Sequence, residues 1–393
     1  MSYDINRPFI IIPKLILQPT WGGSYIINAK NLGSIPGYAD LIVGQSYELF
    51  SGSKLSLTIN DTRSSSFIPE LGNPDTDDTL QDNPLFYAGS DHVVMSEAAT
   101  EHKDKLIGPG VWSEHQKMPL LIKLTQALGN SFQLHVKSGM YDEHWLPKPE
   151  SWYYLEDGAI TFGLKHGTSL NAYKQTCHEI ANHMAELSQL VRTGQMDIKT
   201  ARQQAKTFIS TINPWQYVNR LNVSKGDLID LSGGGLHHSW EEDSDRCPQG
   251  NVVYEVQHDV MDPVSTIRSF DQGKMKDDGT IRTIHIDDYF RFIDTDEEKN
   301  NPESAFRQKH RETLLATSFY NLDELHIAEE RHISIENSFE HLYVMEGSVS
   351  MTTHNSTVTV TQGHSVFMPY SVQKYTILPM EPSIILRTYI SSK

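Results

Sequence analysis

Two distant segments of the chain repeat one pattern, and this repeat limits the possible folds more than any other feature. The landmarks are residues 152–156, Gly158 and Gly226 in the first copy, and residues 341–346, Gly347 and Gly363 in the second. Each copy predicts an aromatic strand, a glycine turn, a second strand and a later strand that another glycine opens. A chain of 393 residues that carries this unit twice is expected to fold as two related β domains.

The first copy contains a long insertion that reads as two helices. Its two glycines are 68 residues apart, whereas those of the second copy are 16 apart. Ser169 is a suitable N-cap for a first helix that ends near Gly194, and Asp197 caps a second one that ends before Pro214. Apolar residues recur at steps of three and four along both segments. They are Leu170, Tyr173, Cys177, Ile180, Met184, Leu187 and Val191, then Ile198, Ala201, Ala205, Phe208 and Ile212.

These patterns predict a mainly β protein made of two cupin (jelly-roll) β-barrel domains with a small α-helical insertion module. We expect residues 1–167 and 213–298 to form the N-terminal catalytic cupin barrel and residues 168–212 the helical insertion. Residues 299–393 are expected to form the C-terminal cupin barrel. The polar stretch at residues 296–304 suggests the boundary between the two barrels.

Charge and composition exclude several classes of partner. The net charge of −17 disfavours binding to nucleic acid or to an anionic membrane, and an anionic ligand would need a local group of lysines and arginines. No run of 18 apolar residues predicts a membrane span, and the apolar residues 8–18 lack the flanks of a signal peptide. Two cysteines are too few for a disulfide framework, so we expect a cytoplasmic protein.

Four residues of the first copy suggest a metal site. Gln133 and His135 are two apart, so on a strand both side chains point to one face. Glu150 precedes the aromatic strand, and His237 follows a run of glycines. This mixed nitrogen and oxygen set suits Zn²⁺ with open positions for substrate.

The chain has 18 histidines, however, and an isolated Gln-x-His pair is more often not a ligand. The second copy has Lys374 where a histidine is expected, so only the first copy could hold a metal.

Several short motifs, in order along the chain, resemble those of the type I mannose-6-phosphate isomerases (phosphomannose isomerases) of the cupin superfamily. They extend from about residue 10 to residue 271, and the C-terminal part fits more loosely. The motifs are Trp21-Gly22-Gly23, Gly44-Gln45-Ser46-Tyr47-Glu48, Leu121-Ile122-Lys123, Gln133-Leu134-His135, Lys148-Pro149-Glu150, Gly235-Leu236-His237, Glu255-Val256-Gln257 and Thr266-Ile267-Arg268.

The resemblance implies a metal-dependent isomerase that interconverts mannose 6-phosphate and fructose 6-phosphate through an enediolate. It implies one Zn²⁺ per chain, with the ligands Gln133, His135, Glu150 and His237, and catalytic roles for Arg268 and Lys148. It also implies that Ser131, Lys123 and Glu48 bind the sugar phosphate. The general base stays open between Glu48, Glu255 and a zinc-bound water. We expect a monomer or weak homodimer whose partner is a small sugar phosphate, with no nucleic acid and no membrane.

The chain also departs from the motifs of that family. Gln45 and Tyr47 replace a glutamate and a tryptophan, and the segment from Glu255 to Arg268 is about three residues longer. These changes leave two alternatives open: a zinc cupin isomerase or epimerase acting on another sugar or sugar phosphate, and a non-catalytic sugar-binding cupin.

Overall fold

The computed structural model describes most of the chain. The described residues are 3–18, 21–72, 84–86, 91–128, 132–137, 139–140, 142–239, 245–260, 262–307 and 312–391.

Strands dominate the described part of the chain. The strands are β1 (Phe9–Ile12), β2 (Lys14–Leu17), β3 (Val43–Leu49), β4 (Lys54–Ser56), β5 (Glu70–Gly72), β6 (Pro84–Phe86), β7 (His92–Val94), β8 (Leu120–Ala127), β9 (Phe132–His135), β10 (Glu150–Tyr154), β11 (Gly158–Leu164), β12 (Val218–Val223), β13 (Leu228–Asp230), β14 (Gly235–Ser239), β15 (Asn251–His258), β16 (Ile267–Phe270), β17 (Phe306–Arg307), β18 (Thr313–Ala316), β19 (Asn321–Ile327), β20 (Arg331–Ser334), β21 (Glu340–Thr352), β22 (Thr357–Thr361), β23 (Ser365–Met368) and β24 (Lys374–Tyr389). The α-helices are α1 (Tyr25–Ala29), α2 (Met95–His102), α3 (Asp104–Ile107), α4 (Pro109–His115), α5 (Leu170–Arg192), α6 (Ile198–Ile212) and α7 (Ile286–Phe292).

The strands form three sheets in the part of the chain that the structure covers. The first runs β18-β19-β24-β21-β23-β1-β4-β7, with β20 beside β24 and β22 beside β21. The second runs β17-β13-β10-β15-β8-β3-β2-β5-β6, and the third runs β12-β11-β14-β9-β16. These sheets do not close into rings, so the two cupin units are jelly rolls of packed sheets. The prediction of a mainly β fold with two cupin units and a helical insertion is confirmed.

The helical insertion covers the back of the third sheet. The side chain of Ser169 accepts a hydrogen bond from the N–H of Ala172, and Asp197 caps α6 in the same way, as the sequence predicts. The buried faces of both helices share one hydrophobic cluster with Phe132 and Leu134 of β9. Because side chains alternate along a strand, Gln133 and His135 must then point to the opposite face of the sheet.

The N-terminal and C-terminal parts of the chain share the first sheet. Strand β1 pairs with β23 on one side and with β4 on the other, so N-terminal residues extend the C-terminal unit. The sequence gives no sign of this pairing, and the division of the chain at residues 298 and 299 remains a prediction. The turn expected at Gly347 is absent because β21 continues through it. Register shifts and a φ of 82° show that Gly347 lies in a β-bulge instead.

Two further observations concern the chain as a whole. Both cysteines, Cys177 and Cys247, are buried, and they are not joined in a disulfide. Among the described residues, no helix combines the length and the apolar character that a membrane crossing requires.

Candidate metal centre and adjoining cleft

Two facing sheets bring the predicted ligands together. In the third sheet β9 lies beside β14, with Gln133 opposite His237 and His135 opposite Gly235. Glu150 begins β10 in the second sheet. Gly234, at φ 76°, precedes β14, and a Cβ there would lie 2.8 Å from the carbonyl oxygen of Val136. Glycine at this position therefore lets the loop before His237 pack closely against the end of β9.

One carboxylate lies between two imidazoles in this cluster. Glu150 Oε1 is 2.8 Å from His237 Nε2, and Glu150 Oε2 is 3.3 Å from His135 Nε2. Gln133 Nε2 is 3.0 Å from His237 Nε2, and a half-turn of that amide brings its oxygen to the same place. Within the described residues, His135, Glu150 and His237 offer ligand atoms that all lie within 4.8 Å of one another.

The donor atoms of the cluster fit a metal ion. Glu150 Oε1, Glu150 Oε2 and His135 Nε2 are buried, and despite the short distances none of them makes a hydrogen bond within the described part of the chain. His135 Nδ1 lies 2.7 Å from the carbonyl oxygen of Ser265, and His237 Nδ1 lies 3.2 Å from that of Gly235. Each Nδ1 therefore carries the proton and donates it, which leaves each Nε2 lone pair free for a metal.

The charges around Glu150 keep the ligands in the protonation states that a metal needs. Burial on its own would raise the pKa of Glu150, but Lys148, His135 and His237 together hold it well below its usual range. Burial, aided by the charge of Lys148, lowers the pKa of His135. At neutral pH the carboxylate is therefore ionised and this imidazole is neutral, and both can bind a cation.

A cleft between the two sheets adjoins the cluster and is lined by cationic side chains. Lys148 Nζ lies 3.3 Å from Glu150 Oε2, and Arg268 on β16 is paired in register with Gln133. Lys123 on β8 and Arg282 also line the cleft. The chain as a whole is acidic, so these four side chains supply the local positive charge that an anionic ligand requires.

Glu255 lies in the same cleft beside Lys123. Its Oε1 is 3.4 Å from Lys123 Nζ, and its Oε2 accepts a hydrogen bond of 3.2 Å from the hydroxyl of Thr125. Burial raises the pKa of Glu255, and the charge of Glu150 adds to this effect while Lys123 opposes it. A carboxylate whose pKa is shifted toward neutral is suited to proton transfer.

Of the residues expected to bind substrate, Glu48 lies away from the cleft. Ser131 lies outside the described residues, so its place is not described. Glu48 is fully buried on the other face of β3, where Lys30 Nζ is 2.7 Å away and the hydroxyl of Ser365 donates to it at 2.8 Å. The neighbouring Tyr47 faces the cleft instead, because successive side chains of a strand alternate. Glu48 is therefore removed from the expected substrate site.

Several cleft residues were missed by the sequence analysis. Gln257 and Asp259 line the cleft together with Glu255, and so do Thr125 and Arg282. Gln257 lies two residues after Glu255 on β15, so the period of a strand could have identified it, whereas Asp259 follows the end of that strand. Arg282 follows an irregular segment, and no local pattern in the sequence places it at the cleft.

The comparisons with known proteins agree with this geometry. Residues 310–380 match the family model for the cupin domain of mannose-6-phosphate isomerase. The fold and this match define a two-unit cupin protein. No curated protein matches the sequence.

Solved structures of mannose-6-phosphate isomerases share the fold over nearly the whole chain. The enzyme from Bacillus subtilis is 16% identical with a TM-score of 0.60, and the match covers 98% of this chain and 99% of that one. A putative mannosephosphate isomerase from Archaeoglobus fulgidus is 16% identical with a TM-score of 0.62, covering 98% and 97%. The Salmonella typhimurium enzyme, bound to fructose 6-phosphate and zinc, is 13% identical with a TM-score of 0.60, covering 98% and 99%.

The resemblance seen in the sequence is therefore confirmed. The chain is similar to the mannose-6-phosphate isomerases, by sequence in its C-terminal cupin domain and by fold along nearly its whole length.

Proposed function

We propose that this protein is a metal-dependent aldose–ketose isomerase that interconverts mannose 6-phosphate and fructose 6-phosphate and uses one Zn²⁺ per chain. The observation that carries the proposal is the buried cluster of His135, Glu150 and His237, which adjoins a cleft with cationic walls. The zinc and fructose 6-phosphate in the Salmonella typhimurium structure support the same metal and substrate here.

The metal would be held by His135, Glu150, His237 and the amide oxygen of Gln133. Their donor set of two imidazoles, one carboxylate and one amide suits zinc with open coordination positions. When bound, zinc would polarise the carbonyl and hydroxyl oxygens of the sugar. The two histidines are held in the required tautomer by the carbonyl oxygens of Ser265 and Gly235.

The reaction moves a proton between C1 and C2 of the sugar, and we assign this transfer to Glu255. Its carboxylate lies in the cleft, and burial raises its pKa, so it can take up a proton from one carbon and return it to the other. Of the two side chains considered as bases, we prefer Glu255 to Glu48, because the carboxylate of Glu48 is buried against Lys30.

Three cations are assigned to the negative charges of the substrate. Lys148 and Arg268 line the cleft close to the metal ligands, where they can neutralise the charge that develops on the enediolate oxygens. Lys123 is assigned to the phosphate group. Ser131, four residues before His135, remains a predicted phosphate ligand.

Gln45 and Tyr47 favour a second candidate function. Both side chains line the cleft, and both replace residues of the motif in the family that the chain resembles. A changed wall alters which sugars fit, so the second candidate is a zinc-dependent isomerase or epimerase of another sugar or sugar phosphate. The expected cytoplasmic location and the monomeric or weakly dimeric state remain predictions.

A coupled assay tests the proposed function. The protein is loaded with zinc or stripped with EDTA, and turnover is measured with mannose 6-phosphate and with a panel of other aldose phosphates. We expect turnover of mannose 6-phosphate that EDTA abolishes and zinc restores. Zinc-dependent turnover of another sugar alone would favour the second candidate. Zinc-loaded protein that turns over none of the panel would contradict both.

A further inference from the structure

Two acceptor atoms in the cleft have no hydrogen-bond donor among the described residues. Gln257 Oε1 and Asp259 Oδ1 are buried, and their residues are only 2% and 7% exposed. Both side chains line the cleft, two residues apart at the end of β15. Buried acceptors are normally matched by donors, so a bound ligand with donor groups would find two acceptors ready for it here.

The carboxylate of Asp259 is held in a fixed orientation. The hydroxyl of Ser51 donates to Asp259 Oδ2 at 2.7 Å, and the backbone N–H of Ser51 donates to the same oxygen at 3.3 Å. Both interactions leave Oδ1 as the unused oxygen. Gln257 is paired in register with the predicted metal ligand Glu150. The two acceptors therefore lie beside the metal centre, in the row of cleft side chains that follows Glu255 along the chain.

The polar lining of the cleft therefore has two kinds of surface. Lys123, Lys148, Arg268 and Arg282 attract anions, whereas the carboxylate of Asp259 and the Oε1 atom of Gln257 present acceptor oxygens. A phosphate or carboxylate group placed against Asp259 would be repelled. A hydroxyl group would donate to it and form a charge-assisted hydrogen bond.

We propose that Gln257 and Asp259 form a hydroxyl-binding subsite, which accepts hydrogen bonds from the polyol part of the substrate and selects against a second anionic group there. The subsite rests on the proposed function, because it takes the ligand of the cleft to be a sugar monophosphate. Asp259 contacts the substrate, and Ser51 is a positioning residue that acts through it.

The test uses binding of glucitol 6-phosphate, an open-chain hexitol phosphate with no carbonyl group to isomerise. Calorimetry on the zinc-loaded protein compares the wild type with Asp259→Asn. Asparagine has the same shape and must keep its oxygen toward the N–H of Ser51, so it turns a donor into the cleft. We expect binding of glucitol 6-phosphate to weaken about tenfold to a hundredfold. Binding of inorganic phosphate, which needs only the cations, should stay within about twofold.

Two further variants keep the test decisive. Asp40→Asn changes an exposed carboxylate elsewhere and should bind both probes like the wild type. If Asp259→Asn does not fold, Ser51→Ala replaces it, because loss of the hydroxyl releases the carboxylate and should weaken glucitol 6-phosphate binding about threefold or more, with phosphate binding kept.

The outcomes separate the subsite from the function on which it rests. A wild-type protein that binds no glucitol 6-phosphate would overturn the proposed function and the subsite together. A wild type that binds it, with Asp259→Asn or its replacement binding equally well, would overturn the subsite alone. Equal weakening of both probes would also overturn it, because a general distortion of the cleft would then explain the loss.

Discussion

Replacing Glu48 by alanine should destabilise the fold and should not specifically impair substrate recognition. Glu48 Oε1 lies 2.7 Å from Lys30 Nζ and accepts a hydrogen bond of 2.6 Å from the hydroxyl of Ser46. Ser365 donates to Oε2, and Lys30 also donates to the carbonyl oxygen of Gly363. Both charged side chains are fully buried, so the variant leaves an ammonium group in the interior without its counter-charge.

The cost follows from the burial of this pair. Removing one partner of a buried ion pair typically destabilises a protein by about 3–5 kcal/mol, a large part of the roughly 5–15 kcal/mol that folding provides. The hydroxyls of Ser46 and Ser365 also lose their acceptor, which favours the upper part of that range. The double variant Lys30→Met/Glu48→Leu removes both charges and should recover most of the loss.

Urea unfolding at pH 7, followed by tryptophan fluorescence, measures this cost. The KM for the substrate is determined in parallel at a temperature where Glu48→Ala remains folded, and it should stay within about threefold of the wild type. The reasoning would be refuted if the free energy of unfolding of Glu48→Ala lay within about 1 kcal/mol of that of the wild type while its KM rose tenfold. Glu48 would then belong to the substrate site.

Three further predictions follow from the same structure. Burial lowers the pKa of His341 to about 3, below an unfolded value near 6.5, so the contribution of its neutral form to stability is fully present above pH 6.5 and is lost as pH falls. Urea unfolding should show about 1.4 kcal/mol less stability at pH 5.5 than at pH 7.5 from this group. His341→Gln should remove that pH dependence, and an unchanged dependence would contradict the assignment. Glu255→Gln keeps the shape of the side chain but cannot take up a proton, so kcat in the coupled assay should fall about 10²- to 10⁴-fold with zinc content intact, and full turnover would exclude Glu255 as the base. Gly234→Ala puts a Cβ 2.8 Å from the carbonyl oxygen of Val136, at a residue whose φ is 76°, and should therefore shift the loop before His237. Metal analysis should then show weaker zinc retention. Normal retention would mean that the loop tolerates the change.

Local patterns in the sequence were sufficient for the helices and for placing Gln133 and His135 on one face of a strand. The caps at Ser169 and Asp197 and the steps of three and four fix α5 and α6, because a helix depends on near neighbours. The Gln133-x-His135 spacing predicts one face of a strand, and the structure brings both side chains to Glu150 and His237.

Long-range pairing was not predictable from the same patterns. The partner strands of β1 are fixed by tertiary contacts that no local spacing reveals, and so is the bulge that replaces a turn at Gly347. Glu48 was misplaced because both faces of β3 are buried, so the sequence shows no polar and apolar alternation that would separate Tyr47 from Glu48. Asp259 and Arg282 reach the cleft from positions outside regular strands.

Titration of the metal-free protein with Zn²⁺, while isomerase turnover is measured at each addition, tests the central claim most directly. If His135, Glu150 and His237 hold the metal on which turnover depends, activity should rise linearly and stop rising at one equivalent of zinc per chain. Glu150→Gln should bind zinc at least tenfold more weakly, because it lacks the charged ligand. Turnover that is complete without zinc, or a break in the titration that Glu150→Gln leaves unchanged, would contradict the account.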